Sequence, residues 1–451
     1  MPPSTNAPSK TFRYAPGPKS KALFDEEQKN IAPGLQTIAL YSQIALESGH
    51  GRYLRDLDGK EYLDFVAGIG VASLGYSHPD FVRIVSEQLA KVSVGSFTTP
   101  HRASFVKTLS TITPKGLDRI QLYSSGAEAV EAAVRLAKSR TKKYELVGFW
   151  GGFHGKTGGI LPVLGDSFKH DLGPLMPGLY LAPYPNQDHC PFGTQGEHDC
   201  AAHCLSFLRE LLKRSTAGAL AAIIAEPIQG TAGNVIPAKG FLKGLRALTQ
   251  EMGALLISDE MITGFGRTGQ WWGCDHEGIT PDILTVGKGL GGGFPVSGVI
   301  TSTEIAQSKP WGNPSGSSSS YGGNPLASAA CDAALQILIK EKLVENSRRV
   351  GAKLLKSLQE LKLRSPLIGL VRGRGLMIGV ELVNPKTNKP LESPLCRELF
   401  EECLTRGLLT MSYNAALRIN PPLSITEEEA MAGVEIFTAA LTAVASRHDL
   451  R

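Results

Sequence analysis

At 451 residues the chain exceeds the length at which one hydrophobic core stops growing, which excludes a peptide or a small stapled module and makes two packed units the expectation. Hydrophobic residues make up 42% and charged residues 20%, enough apolar material for a large core and too little charge for a disordered chain. The net charge of +5, with no run of five like charges, excludes a nucleic-acid or acidic-membrane surface as the main feature and points to a small-molecule partner.

The first 24 residues contain no acid, and prolines at 2, 3, 8, 16 and 18 forbid the amphipathic helix of a transit peptide, so they read as a flexible tail, ordered only where it packs. His50 to Phe65 reads as a hairpin turning at Asp58-Gly59. Between about 118 and 330, short apolar runs alternate with helical patterns, the signature of an α/β parallel sheet covered by helices. The expected strands are Ile120 to Tyr123, Glu145 to Trp150, Ala221 to Pro227, Ala254 to Asp259, Ile283 to Val286 and Val296 to Thr301. Helical periodicity marks Ala127 to Lys138, Pro325 to Glu341 and Lys342 to Leu361. Gly369 to Leu382 and Leu417 to Pro421 read as strands of a smaller α+β unit, completed by the N-terminal hairpin. The expected division is 1–70, 71–334 and 335–451. No apolar stretch approaches the length that spans a bilayer; Gly218 to Ala225 stops at Glu226. Seven cysteines, an odd number, exclude a disulfide framework and fit a reducing, cytoplasmic setting.

Three features carry chemistry. Asp259 and Lys288 end successive expected strands 29 residues apart, one strand-helix-strand step, so both sit at the carboxyl edge where open α/β sheets hold ligands. The plain alternative is a salt bridge between them. Gly289-Leu290-Gly291-Gly292-Gly293 follows the lysine and admits a bulky ligand to the backbone. Tyr123-Ser124-Ser125-Gly126-Ala127-Glu128 links a strand to a helix, so the amides of Gly126 and Ala127 and the Ser125 hydroxyl face an anion such as phosphate, unless Ser125 is an ordinary cap. Trp150 to Thr157 (WGGFHGKT) ends like an NTP-binding loop, but Trp150 occupies the place of the first glycine and prevents the backbone cradle.

The stretches EPIQGTAGNVIPAKGFLKGLRAL, SDEMITGFGRTGQWWG and PDILTVGKGLGGGFPVSGVI, with LGYSHP, YSSGAEAVEAA, GGFHGKT, SYGGNPLA and VRGRGLMIGVEL in the same order, resemble fold-type-I, class III pyridoxal-phosphate aminotransferases over positions 35–445. The resemblance implies a large cofactor-binding domain around a mostly parallel sheet and a smaller domain from both chain ends. It makes Lys288 the lysine that forms the Schiff base and moves protons, and Asp259 the carboxylate facing the pyridine nitrogen. Phe153 would stack on the ring with His154 beside it, Met261 would cover the opposite face, and Ser125, Gly126 and Ala127 would hold the phosphate. Glu226 and Gln229 would orient neighbouring groups, and Ser320 would reach the phosphate of the other subunit of a homodimer. Arg418 in ALRINPPL would bind a substrate carboxylate.

Three departures individualise the chain. Ile262 stands where relatives commonly carry a glutamine bonding the cofactor's phenolic oxygen. Ser320 replaces a threonine. Thr231 replaces the glutamate that masks the substrate arginine in 4-aminobutyrate- and ornithine-type members, leaving Arg418 open to a carboxylate. The resemblance implies ping-pong transfer from an ω- or β-amino acid or amine to pyruvate or 2-oxoglutarate. An amino-acid or lactam racemase uses the same cofactor residues and is the alternative; a non-enzymatic binding protein would not need Lys288. His189 to Cys204 gathers three cysteines and three histidines in a spacing unlike common zinc patterns, and reads as an irregular loop with reduced thiols. Trp271-Trp272 reads as core or subunit interface rather than substrate pocket.

Overall fold

The computed structural model describes residues 14–165, 167–193 and 199–450; the start of the N-terminal tail and His198 lie outside the described residues. From residue 18 the tail is ordered where it packs, as the helix Pro18–Glu27. Proline costs nothing in a first turn because the N–H it lacks has no intrahelical partner there. Asp58 anchors that start, its carboxylate accepting from the amides of Lys19 at 2.9 Å and Ser20 at 2.8 Å. Asp58 belongs to the expected hairpin, formed by β2 (Tyr53–Asp56) and β3 (Glu61–Asp64), with β1 (Leu46–His50) paired antiparallel to β2.

The central sheet has seven strands: β4 (Arg119–Tyr123), β5 (Glu145–Phe149), β6 (Leu179–Ala182), β7 (Leu220–Ala225), β8 (Leu255–Asp259), β9 (Ile283–Val286) and β10 (Ser297–Thr301). Their order is β4-β10-β9-β8-β7-β5-β6; β10 runs against both of its neighbours and every other pairing is parallel. Along β7, Ala222 and Ile224 pack in one core cluster and Ile223 and Ala225 in another, so the sheet is covered on both faces. Helix Gly126–Thr141 covers the first face with Ala129, Val130, Ala133 and Ala137; helices Cys200–Ser215 and Phe241–Met252 cover the second with Leu208, Leu212, Phe241 and Leu245.

The remaining strands are β11 (Ile368–Arg374), β12 (Met377–Asn384), β13 (Lys389–Pro390), β14 (Leu408–Leu409) and β15 (Ala416–Ile419). The segment Gly369 to Leu382 is two antiparallel strands rather than one, reversing at Gly375, whose φ of +55° suits glycine. β12 lies between β11 and β15, while β14 returns to run parallel to β3 and ties the chain's end to its beginning. The expectation that no segment has membrane-spanning length and composition is also corrected, because the 21-residue helix Glu427–Arg447 has both. It buries Val434, Phe437, Leu441 and Val444 in the main core.

Candidate active site

The parallel register sets Asp259, the last residue of β8, beside Thr285 of β9, three positions before Lys288. Its carboxylate is held from three directions. Thr285 Oγ1 donates at 2.9 Å, the Met261 amide at 3.1 Å, and His154 Nδ1 meets the second oxygen at 2.6 Å. Both side chains of the His154–Asp259 pair are 1% exposed. Burial disfavours a charged imidazole, but the hydrogen bond and charge of Asp259 outweigh it and raise the pKa of His154.

The salt-bridge alternative fails. Lys288 makes no hydrogen bond or ion pair among the described residues, and Asp259 is already engaged by other donors. Burial pushes the lysine amine below its usual range; Asp259 and Glu226 oppose that shift, and Arg418 and Arg267 add to it. Lys288 has φ of +42°, which β9 and the short 3₁₀ turn Lys288–Gly291 impose on either side.

Ser125 caps helix Gly126–Thr141, its hydroxyl accepting from the Glu128 amide at 3.2 Å, which leaves the O–H proton to donate to an anion at the helix start. The amides of Gly126 and Ala127 remain without intrahelical partners, and Ser297 Oγ fixes the turn by donating to the Ser125 carbonyl at 2.6 Å. Around that turn the chain closes in only because glycines are there. A Cβ on Gly287 would lie 2.7 Å from Met261 Sδ, one on Gly126 3.2 Å from the same sulfur, and one on Gly155 2.6 Å from Ala127 Cβ. Helix start, Met261, the lysine turn and the Gly155 strand of chain thus converge on one cradle. A buried carboxylate, a partly buried lysine, a helix N-terminus and the Met261 side chain are groups that pyridoxal phosphate can use, and these residues fit it.

The Phe153 amide donates to Glu226 Oε1 at 2.9 Å, and the Gly230 amide to Glu226 Oε2 at 3.0 Å. Burial raises the Glu226 carboxyl. The Phe153 ring meets Phe168 edge-on at 5.8 Å. Gln229 Nε2 donates to the Trp150 carbonyl at 2.8 Å, and Gln229 and Val235 exchange backbone bonds, closing a tight turn around Thr231. That turn rests on β15, since a Cβ on Gly233 would lie 3.0 Å from Ala416 Cβ. Arg418, opposite Gly379 of β12, has no hydrogen-bond or ion-pair partner among the described residues, and burial lowers its pKa. Ile262 is buried against Ile228 and Met377 with no polar contact. Ser320 is exposed on its loop.

The sequence did not single out Thr285 or Ser297, which hold Asp259 and the phosphate-facing turn; the signal was strand register, because Thr285 is the cross-strand neighbour of Asp259. Trp272 is core, packed on Phe265 with Nε1 donating to the Ile112 carbonyl at 2.7 Å. Cys200 and Cys204 do not lie in an irregular loop as expected but in the first turns of helix Cys200–Ser215, which Asp199 caps at the Ala202 amide, 2.8 Å away.

Comparison with known proteins gives the family and the fold. The family pattern described as Aminotransferase class-III matches residues 38–441. An alanine/serine racemase of Pyrococcus horikoshii is 36% identical over 94% of this chain and 91% of its own. A diaminobutyrate–2-oxoglutarate aminotransferase of Rhizobium meliloti is 35% identical over 86% of this chain and 85% of its own. The crystal structure of an amine transaminase from an uncultivated Pseudomonas species, in its PLP-bound form, superposes with a TM-score of 0.84 at 28% identity, covering 93% of this chain and 98% of that one.

Proposed function

We propose, from the premise that this chain belongs to the class-III aminotransferase family, that Lys288 and Asp259 carry its reaction and that Arg418 receives the substrate carboxylate. The chain is a fold-type-I, pyridoxal-phosphate-dependent aminotransferase that moves an amino group from an ω- or β-amino acid or amine to a 2-oxo acid in two half-reactions. When bound, the cofactor supplies an electron sink that lets the C–H bond beside the amino nitrogen break.

The protein's part is positioning and proton handling. Asp259, braced by Thr285 and His154, is the carboxylate that would hold a proton on the cofactor's ring nitrogen. Lys288 takes the proton from the substrate carbon and returns it elsewhere, a task for which an amine of lowered proton affinity is suited. Phe153 and Met261 would flank the cofactor ring, the amides of Gly126 and Ala127 with the Ser125 hydroxyl would receive its phosphate, and Glu226 and Gln229 fix the chain around Phe153 and Trp150. Ser320, exposed on its loop, serves the site of a second subunit in a homodimer. Cytoplasmic placement is supported by the seven thiols of the sequence, none in a disulfide.

The observation that carries this reading is the pairing of a triply held carboxylate with an unpartnered lysine at the ends of adjacent strands. Lys288→Ala should leave a folded protein that still takes up cofactor non-covalently while turnover falls by at least ~10²–10⁴-fold, the worth of a positioned general base. Near-normal turnover would refute the assignment.

The 36% identity to an alanine/serine racemase supports a second reading, in which the proton returns to the opposite face of the same carbon. Absorbance on mixing holoenzyme with amino donor alone separates the two, because only a transaminase converts the cofactor stoichiometrically to its amine form.

A further inference from the structure

Away from the site, three cysteines lie together, with Cys200 between Cys190 and Cys204. Cys190 follows β6 by eight residues, and Cys200 and Cys204 stand one turn apart at the head of helix Cys200–Ser215. Cys200 Sγ lies 3.5 Å from Cys190 Sγ and 3.7 Å from the Asn186 carbonyl, and its single S–H can point to either. Cys200 and Cys204 are buried, while Cys190 is half-buried and is the sulfur an oxidant reaches first. Both ends of the stretch are anchored. His189 Nε2 meets Glu381 Oε2 at 2.5 Å, Asn186 bridges to Pro237, and Asp199 caps the helix.

We propose that Cys190 and Cys200 are a peroxide-oxidisable pair that closes a disulfide across residues 190–200. Hydrogen peroxide oxidises the Cys190 thiol to a sulfenic acid and is reduced to water. The Cys200 sulfur then bonds to the Cys190 sulfur, and the sulfenic oxygen leaves as a second water carrying the Cys200 proton. Two thiols and one peroxide thus become one disulfide and two waters. The sulfurs must close from 3.5 Å to about 2.05 Å, a movement of side chains already in contact. Cys204 shares its helix face with Cys200 and backs the pair from the buried side.

Burial raises the Cys200 thiol and takes Cys204 to about 11. A raised Cys200 thiol is a poor attacking thiolate as well as a poor leaving one, so the bond both closes and reopens slowly. The pair also lies beside the substrate turn: Glu381, which holds His189, pairs with Arg372, whose Nη2 and Nε donate to the carbonyls of Gly233 at 3.0 Å and Asn234 at 3.2 Å.

The test treats reduced holoenzyme with hydrogen peroxide, alkylates what remains and maps the peptides. Trypsin leaves residues 170–209 as one fragment holding all three sulfurs, and cleavage after Glu197 separates Cys190 from the other two. The two pieces should stay joined, two hydrogens lighter than their sum, with Cys204 alkylated and release by a phosphine. Cys204→Ser should keep the link; Cys190→Ser and Cys200→Ser should lose it, and Cys200→Ser should accumulate a Cys190 sulfenic acid that dimedone captures. Turnover of each untreated variant shows that it has folded. Full alkylation of Cys190 and Cys200 after peroxide, a link made through Cys204, or over-oxidation of Cys190 without a link would each overturn the assignment.

Discussion

Asp259 and His154 meet at 2.6 Å where water does not reach, and the sign of that interaction is testable without cofactor. His154 is raised above its usual 6.5 because the contact with Asp259 outweighs burial. Between the unfolded and the folded value the native state therefore binds more protons than the unfolded one. The stabilisation is fully present below about pH 6.5 and is lost as pH rises through the folded value. Cofactor-free protein should lose unfolding free energy over that rising window, and His154→Gln, which does not titrate, should flatten the slope. Urea midpoints across pH measure it; an unchanged slope in His154→Gln would mean that the imidazole is neutral. The two ends of this chemistry were legible as a spacing, Asp259 to Lys288, because charged residues ending apolar strands stand out in sequence. Thr285 was not, since a threonine inside a strand is ordinary until the neighbouring strand's register is known.

At the scale of elements, the turn around Thr231 and strand β15 work as one unit. Asn234, with φ of +53°, donates through Nδ2 to the Ile378 carbonyl and to Asn420 Oδ1, both at 2.9 Å, joining the turn to β12 and to the end of β15. Asn234→Ala strands these buried acceptors and should cost about 1–3 kcal/mol in urea unfolding. A change within a few tenths would show that the turn is held without Asn234, by Arg372, Glu226 and the Gln229–Val235 backbone pair. The same unit positions Arg418, whose guanidinium has no partner among the described residues. Arg418→Ala should raise the KM of a 2-oxo acid steeply and that of an amine donor lacking a carboxylate little, while Thr231→Glu should shift preference toward uncarboxylated donors. Equal losses for both substrate kinds would make Arg418 structural. Elements of this kind were legible where periodicity was long: Gly126–Thr141, Pro325–Lys340 and Leu343–Lys362 lie within a few residues of expectation. The helix at Pro18 was hidden because proline reads as a breaker unless the cap at Asp58, 38 residues away from Ser20, is known.

For the whole molecule, the question is whether each site is complete within one chain. Ser320 is exposed, and near it Tyr321 is 64% exposed, with Phe97 83% exposed on the segment preceding helix Pro100–Leu109. Exposed large apolar side chains are one feature that subunit interfaces share, and the proposed homodimer is tested at Ser320. In a homodimer with shared sites, Lys288 and Ser320 of one site come from different chains. Ser320→Asp would then place a negative charge against the phosphate of the partner's site and lower cofactor affinity. Lys288→Ala alone is inactive, and Ser320→Asp alone is weak. A mixed dimer of the two holds one site with Lys288 from one chain and Ser320 from the other, both intact, and a second site with both defects. Random exchange makes half the dimers mixed, so an equal mixture should recover about a quarter of wild-type activity at a cofactor concentration where each variant alone is nearly silent. If Ser320 instead serves its own chain's site, every site in the mixture carries one defect and mixing restores nothing.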